Sequence, residues 1–226
     1  FIWDYGINFD NLVSPFPNFH ILKKNIQLFK KHHATMLFEQ VNGVEGADFS
    51  EMRAYMLSKL MWNPELDTDS LMRSFMNGYY GQAAPYLYQY RKIMEGALLA
   101  SKTPLWIYDS PISHKDGMLN ENLLKTYNEL FDQAAAAVEK DTKILKRGRA
   151  ARLPLQYAEL EIMRTTLKGD RDDLARKVEL FRTRTMEAGV KALNERGNPP
   201  AEYCDLYLQR FLPGGQINKA SKAKMI

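Results

Sequence analysis

FIWDYGINFDNLVSPFPN (residues 1–18) and ATMLFEQ (residues 34–40) decide the fold between them. Phe1-Ile2-Trp3-Asp4-Tyr5 is an aromatic and apolar run with one charge, the composition of a buried strand. Met36 to Phe38 is a second short apolar run, and it ends at Glu39. Between the two, Ser14, Pro15 and Pro17 punctuate a loop, and Asn18 is placed to cap a helix reaching about His33. Ile21, Leu22, Ile26 and Phe29 fall on one face of that helix. Strand, crossover helix and strand make a βαβ unit, whose strands should be parallel in one sheet. Parallel strands are normally buried on both faces, so two of them are not stable alone. The expectation is that this pair belongs to a larger sheet.

The rest of the chain reads almost wholly as helix, giving a mainly α fold with a small α/β portion at residues 1–47 and an α-helical domain over 48–226. Asp48 with Glu51 three residues on has a capping-box pattern, and Phe49, Met52, Met56 and Leu60 line the helix that should follow, up to Asn63-Pro64. Asp67 or Thr68 starts the next helix, carrying Leu71, Phe75 and Tyr79 and ended by Gly81. A third runs from about Ala83 to Ser101, and TPLWIYDSP then reads as extended. Three long helices follow, from about Asn120 to Lys140, from Ile144 or Arg149 to Lys168, and from Asp170 onward. In the last of these Leu174, Val178, Phe181, Thr185, Ala188 and Ala192 form a bundle seam, and a short helix beyond Gly197-Asn198-Pro199-Pro200 closes the fold. Trp62 and Tyr79 are expected to pack between helices.

Composition narrows the functional classes. No apolar run approaches the roughly 18 residues that cross a bilayer, so no membrane span is expected. The net charge of +4 is matched by Arg210, Lys219, Lys222 and Lys224, which lie in a terminal stretch without acids and read as a solvated end. Lys143, Lys146, Arg147, Arg149 and Arg152 form a second basic cluster without interleaved aromatics, so nucleic acid is not an expected partner. Cys204 stands alone, which excludes an internal disulfide and a multi-cysteine metal site, and its apolar surroundings read as core. His32 and His33 fall at a helix C-terminus, where a cation suits the dipole, and His20 and His114 have no acid or Cys at ligand spacing. No phosphate loop, dinucleotide turn, nucleophile elbow or HExxH motif is present, and no cofactor is expected.

Two features carry chemistry. Asp4 and Glu39 each stand immediately after a predicted parallel strand, and residues just past strand C-termini face the ligand crevice in α/β sheets and barrels. Neighbouring strands lie about 5 Å apart, so the two carboxyls could converge on one ligand, as the acid and base or nucleophile of a glycosidase do. The structural alternative has Asp4 capping the following turn and Glu39 paired with a cation. The second feature is aromatic: Trp3 and Tyr5, with Trp62, Tyr79, Tyr80 and Trp106 elsewhere, offer ring faces to the C–H faces of a sugar, although rings at helical spacing serve a core equally well. Trp3, Tyr5 and Gln40 flank the carboxylates as substrate-binding candidates.

The stretch FSEMRAYMLSKLMWNPELDTDSLMRSFMNGYYGQAAPYLYQY sharpens this. It resembles a bacterial domain-of-unknown-function family of polysaccharide-utilisation proteins. In that family an aromatic-acidic strand and a P-x-P-N turn precede a helix. A strand ending near an acid follows, then L-R-x-Y-x-x-x-K-L-x-W-N-P and F-x-x-x-Y-Y-G. Here those positions are Pro15 to Asn18, Met52-Arg53, Tyr55, Lys59-Leu60, Trp62-Asn63-Pro64, Phe75 and Tyr79-Tyr80-Gly81, with Met52 in place of Leu. Family members look similar to α-glucuronidase-type glycoside hydrolases. The resemblance, strongest over about residues 1–110, implies that residues 1–47 are the C-terminal end of a (β/α)8 barrel followed by a helical bundle domain. It further implies a general acid on an earlier strand, outside this chain, and a periplasmic or cell-surface setting. The expected function is that of the C-terminal portion of a glycan-hydrolysing or glycan-binding protein, inactive as a fragment, with carbohydrate as partner. A non-catalytic helical interaction or scaffold module, able to form a homo-oligomer through its helices, is the alternative.

Overall fold

The computed structural model describes residues 1–41, 44–166 and 171–211. It is mainly helical with a small two-stranded parallel sheet. Strand β1 (Ile2–Tyr5) is joined through helix α1 (Phe19–Lys31) to β2 (Leu37–Gln40), and Ile2, Trp3, Asp4 and Tyr5 lie in register with Leu37, Phe38, Glu39 and Gln40. Asp4 and Glu39 therefore lie within the strands rather than just beyond them, because the ladder runs on to Gly6 N–H, which donates to Gln40 O at 3.1 Å.

The helices follow as α2 (Ser50–Trp62), α3 (Thr68–Tyr80), α4 (Ala84–Ser101), α5 (Glu121–Ala137), α6 (Thr142–Ala151), α7 (Leu153–Thr166), α8 (Arg171–Ala188) and α9 (Pro200–Phe211). Their buried faces follow the sequence periodicity: Phe19, Leu22 and Ile26 in α1, Met52, Met56 and Leu60 in α2, Tyr127, Leu130 and Ala134 in α5. Each Phe, Leu, Ile or Met among them, once fully buried, contributes about 1.5–3 kcal/mol of transfer free energy before entropy is counted. One core runs from α1 through α2–α5 to Leu155 and Ala158 of α7. A second joins Val13 to Leu153, Tyr157, Val178, Phe181, Cys204 and Tyr207. Cys204 is fully enclosed there, and burial pushes its thiol up to about 12.

Several expectations are corrected. Trp62 does not pack between helices but is 92% exposed, at the end of α2 where the chain turns away at Asn63-Pro64. Tyr79 does pack, stacking on Phe75 at 5.0 Å. The single helix expected up to Lys168 is two, α6 and α7, with the break at Arg152. Pro154, which fits only a first helical turn, was the signal in the sequence. Asn18 and Asp48 do not cap α1 and α2 through their side chains. Both are drawn away by buried arginines, and Phe49, in the left-handed region at φ 48°, starts α2 instead. Asp67 caps α3 as expected, accepting from Ser70 N–H at 2.7 Å. Leu167, Lys168, Asp170 and the basic residues Lys219, Lys222 and Lys224 lie outside the described residues. Among the described residues, no helix is long and apolar enough to cross a membrane.

Candidate functional site

Alternation along a strand sends successive side chains to opposite faces, so the register sorts the candidate residues into two sets. Asp4 and Glu39 are directly opposite one another on the face that also carries Ile2 and Leu37, and Leu37 packs on the helical core. Trp3, Tyr5, Phe38 and Gln40 occupy the other face. The structure thus brings the two carboxylates together and the three substrate-binding candidates together, but it places the sets on opposite sides of the sheet.

On the acid face, Asp4 is held at both oxygens. Oδ1 accepts from Tyr5 N–H at 2.9 Å and Oδ2 from the Asn25 amide of α1 at 3.2 Å. Glu39 has no such support: no described cation lies within ion-pair distance, and its neighbour is the like charge of Asp4. Burial, with Asp4 adding to it, raises the Glu39 carboxyl from the ordinary value of 4.5 to about 7. Glu39 can therefore hold or release a proton near neutrality.

The opposite face is open. Trp3 Nε1 donates to Gln40 Oε1 at 2.8 Å, and the Trp3 ring meets Phe38 edge-on at 4.9 Å. Phe1, Trp3 and Tyr5 are 70%, 53% and 42% exposed, and Met36 and Phe38 likewise stand in solvent. Two parallel gradients run along this face, Trp3–Tyr5 on β1, with Phe1 just before it, and Phe38–Gln40 on β2, with Met36 just before it. Each is purely apolar at the N-terminal end and gains a hydrogen-bonding tip at the C-terminal end. Beyond β1 the rings continue from Tyr5 to Phe9 at 5.3 Å and from Phe9 to Tyr108 at 5.9 Å.

Beneath the strand ends lies a buried ionic cluster that sequence spacing did not reveal. Asp48 Oδ2 accepts from Phe16 N–H at 2.9 Å and from Arg91 Nη1 at 3.2 Å, and Arg53 Nη2 stands 3.7 Å away. Arg53 also donates to the carbonyls of Phe16 and Asp48, both at 3.0 Å, and to Asn18 Oδ1. Both guanidiniums lie against the Phe19 ring, at 4.4 and 4.5 Å. Burial lowers Arg53 to about 10, against the pull of Asp48, so it stays charged at neutral pH. The Pro-x-Pro-Asn turn and the Met-Arg pair are thus two halves of one contact. Arg91 carried no motif and was found only by the fold. So was the pairing of buried His114 with Asp109, Nε2 to Oδ2 at 2.5 Å, which corrects the expectation that His114 lacks an acid partner. His20 Nδ1 similarly lies 4.0 Å from Glu95. Among the described residues, no group of three or more His, Cys, Asp or Glu is placed to hold a metal ion.

No curated protein and no solved structure matches the chain. Residues 1–92 match a family described as a domain of unknown function (DUF4838). That segment holds β1, α1, β2, α2, α3 and the first half of α4, and with them every member of the Asp48 cluster, Phe16 and Asn18 through Arg91.

Proposed function

We propose that the chain is the C-terminal portion of a glycoside-hydrolase-like, carbohydrate-active protein, with β1 and β2 as strands of a (β/α)8 barrel and the helices from α2 onward as an appended bundle. The observation that carries this reading is the graded open face. Inward-facing side chains of a barrel strand are apolar in the lower layers, and ligands are met at the C-terminal ends. Phe1–Trp3–Tyr5 and Met36–Phe38–Gln40 follow that order. Tyr5, Trp3 and Gln40 would offer a sugar ring an apolar platform with a hydroxyl and an amide beside it. Asp4 and Glu39, on the face turned to α1, are the carboxylates this chain is proposed to contribute to hydrolysis, with the general acid supplied by an earlier strand outside it. The setting proposed is periplasmic or cell-surface.

The scaffold reading draws support from one observation: both oxygens of Asp4 are already engaged, by Tyr5 and Asn25. Assaying the intact protein on a panel of neutral and acidic oligosaccharides separates the readings. Glycan binding that is weakened at least tenfold by Trp3→Ala, with cleavage abolished by Glu39→Gln while binding survives, is the expected pattern. Cleavage unchanged in both Glu39→Gln and Asp4→Asn would remove the acid pair from the chemistry. An intact protein that neither binds nor cleaves any glycan would leave the helical scaffold as its function.

A further inference from the structure

The Tyr79-Tyr80-Gly81 turn has a role that the sheet does not absorb. Gly81 has φ +51°, and a Cβ there would lie 2.9 Å from Ile144 Cδ1, so the glycine lets α6 close on the end of α3. That approach presents Lys143, Lys146 and Arg147 to a cavity of about 260 Å³, whose opposite wall is the loop following β2. Gly46, at φ +76°, lets that loop press on Leu153.

Lys143 and Lys146 are exposed on the α6 surface, and Arg147 is half-buried beside them. Arg147 is preset: its guanidinium lies 3.9 Å over the Tyr79 ring, and Nη1 donates to Tyr79 O at 2.8 Å, leaving further N–H groups of the fork uncommitted. Neither Lys143 nor Lys146 forms an ion pair with a described residue. Two carboxylates, Glu45 and Glu51, share the lining, so three cations and two anions leave one net positive charge. Glu51 already accepts from hydroxyls, Ser50 Oγ at 3.2 Å and Tyr79 Oη at 3.4 Å. Cations without described ion-pair partners, beside one carboxylate that accepts from hydroxyls and a second in the lining, suit a ligand with an anionic end and a hydroxylated body. The volume is just below the usual 300–1,000 Å³ of small-molecule pockets, which limits the ligand to about one ring.

From these contacts we infer that this cavity binds a small hydroxylated molecule bearing one oxyanion group, of the size of a single sugar phosphate or sugar sulfate. Lys143 and Lys146 neutralise the oxyanion, Arg147 adds a directed donor, and Glu45 and Glu51 accept from ring hydroxyls. The site is separate from the sheet and does not depend on the glycan reading given to it.

Calorimetric titration of the full-length protein at low salt tests this with four probes: glucose 6-phosphate, glucose 6-sulfate, glucose and inorganic phosphate. At least one ester should bind ten times more tightly than either glucose or inorganic phosphate, the loss of one charge-assisted contact being about tenfold in affinity. The better ester identifies the oxyanion. Lys143→Ala/Lys146→Ala, at two exposed positions, should weaken that binding at least tenfold without moving the unfolding midpoint, and Trp3→Ala should leave it unchanged. Equal binding of glucose and the esters would overturn the inference. Inorganic phosphate binding as tightly as the esters, or a double lysine variant that binds normally, would do so too.

Discussion

Asp48 and Glu39 follow one another closely in the chain and end in opposite electrostatic circumstances. Asp48 is enclosed by two guanidiniums and a backbone N–H, and its cluster ties the turn before α1 to α2 and α4. Glu39 is partly buried with only another carboxylate for company. The first arrangement is what an acid needs to be locked in an interior, and removing one partner from it is costly. The second leaves an acid whose charge opposes the fold, which is tolerated where the proton has a use. Two acids beside the same strand pair thus divide into a structural one and a poised one, and the neighbours make the division rather than the residue type.

The largest expected effect breaks the structural half. Asp48→Ala should destabilise the protein by about 3–5 kcal/mol, because it strands Arg53 and Arg91 in the core, and urea unfolding would report it. A loss under about 1 kcal/mol would mean the guanidiniums find other partners and the cluster is not the tie described. A smaller effect sharpens the poised half. Glu39 in the folded protein keeps its proton up to about 7, whereas the unfolded chain releases it near 4.5. Over that window the folded state binds more protons, so this residue's contribution to stability is full below about 4.5 and declines as pH rises to about 7. Glu39→Gln should therefore flatten the pH dependence of the unfolding midpoint between those values and be the more stable protein at pH 8. A parent and variant that fall in parallel would place the pH dependence elsewhere. The smallest effect serves as a control on packing: Trp62→Ala, at a ring 92% exposed, should change stability by less than about 0.5 kcal/mol.

Local signals made much of this fold legible. The Asp67 cap and the helix faces could be read from spacing, since each depends on residues within one or two turns, and the parallel pairing followed from the helical crossover between two short apolar runs. What could not be read depends on partners distant in sequence. Asn18 and Asp48 have the residue types of helix caps, yet Asn18 is claimed by Arg53 and Asp48 by Arg91, across 35 and 43 residues of sequence. Trp62 looked like core because its type favours burial, but the chain leaves α2 just as the ring reaches solvent. In the candidate site, adjacency of Asp4 and Glu39 followed from parallel pairing. Their separation from Trp3, Tyr5 and Gln40 was implicit in strand alternation and became visible once the exact ladder, running to Tyr5 and Gln40, was known. The cavity under α6 was hidden, because it needs Gly81 to bring two helices together.

The poised state of Glu39 is most directly tested by following its side-chain carboxyl through a pH titration by carbon-detected NMR, in the parent and in Asp4→Asn. A midpoint near 7 in the parent, moving down once the Asp4 charge is gone, is the result this account requires. A midpoint at the ordinary 4.5, indifferent to Asp4, would show that the two strand acids are merely solvated neighbours.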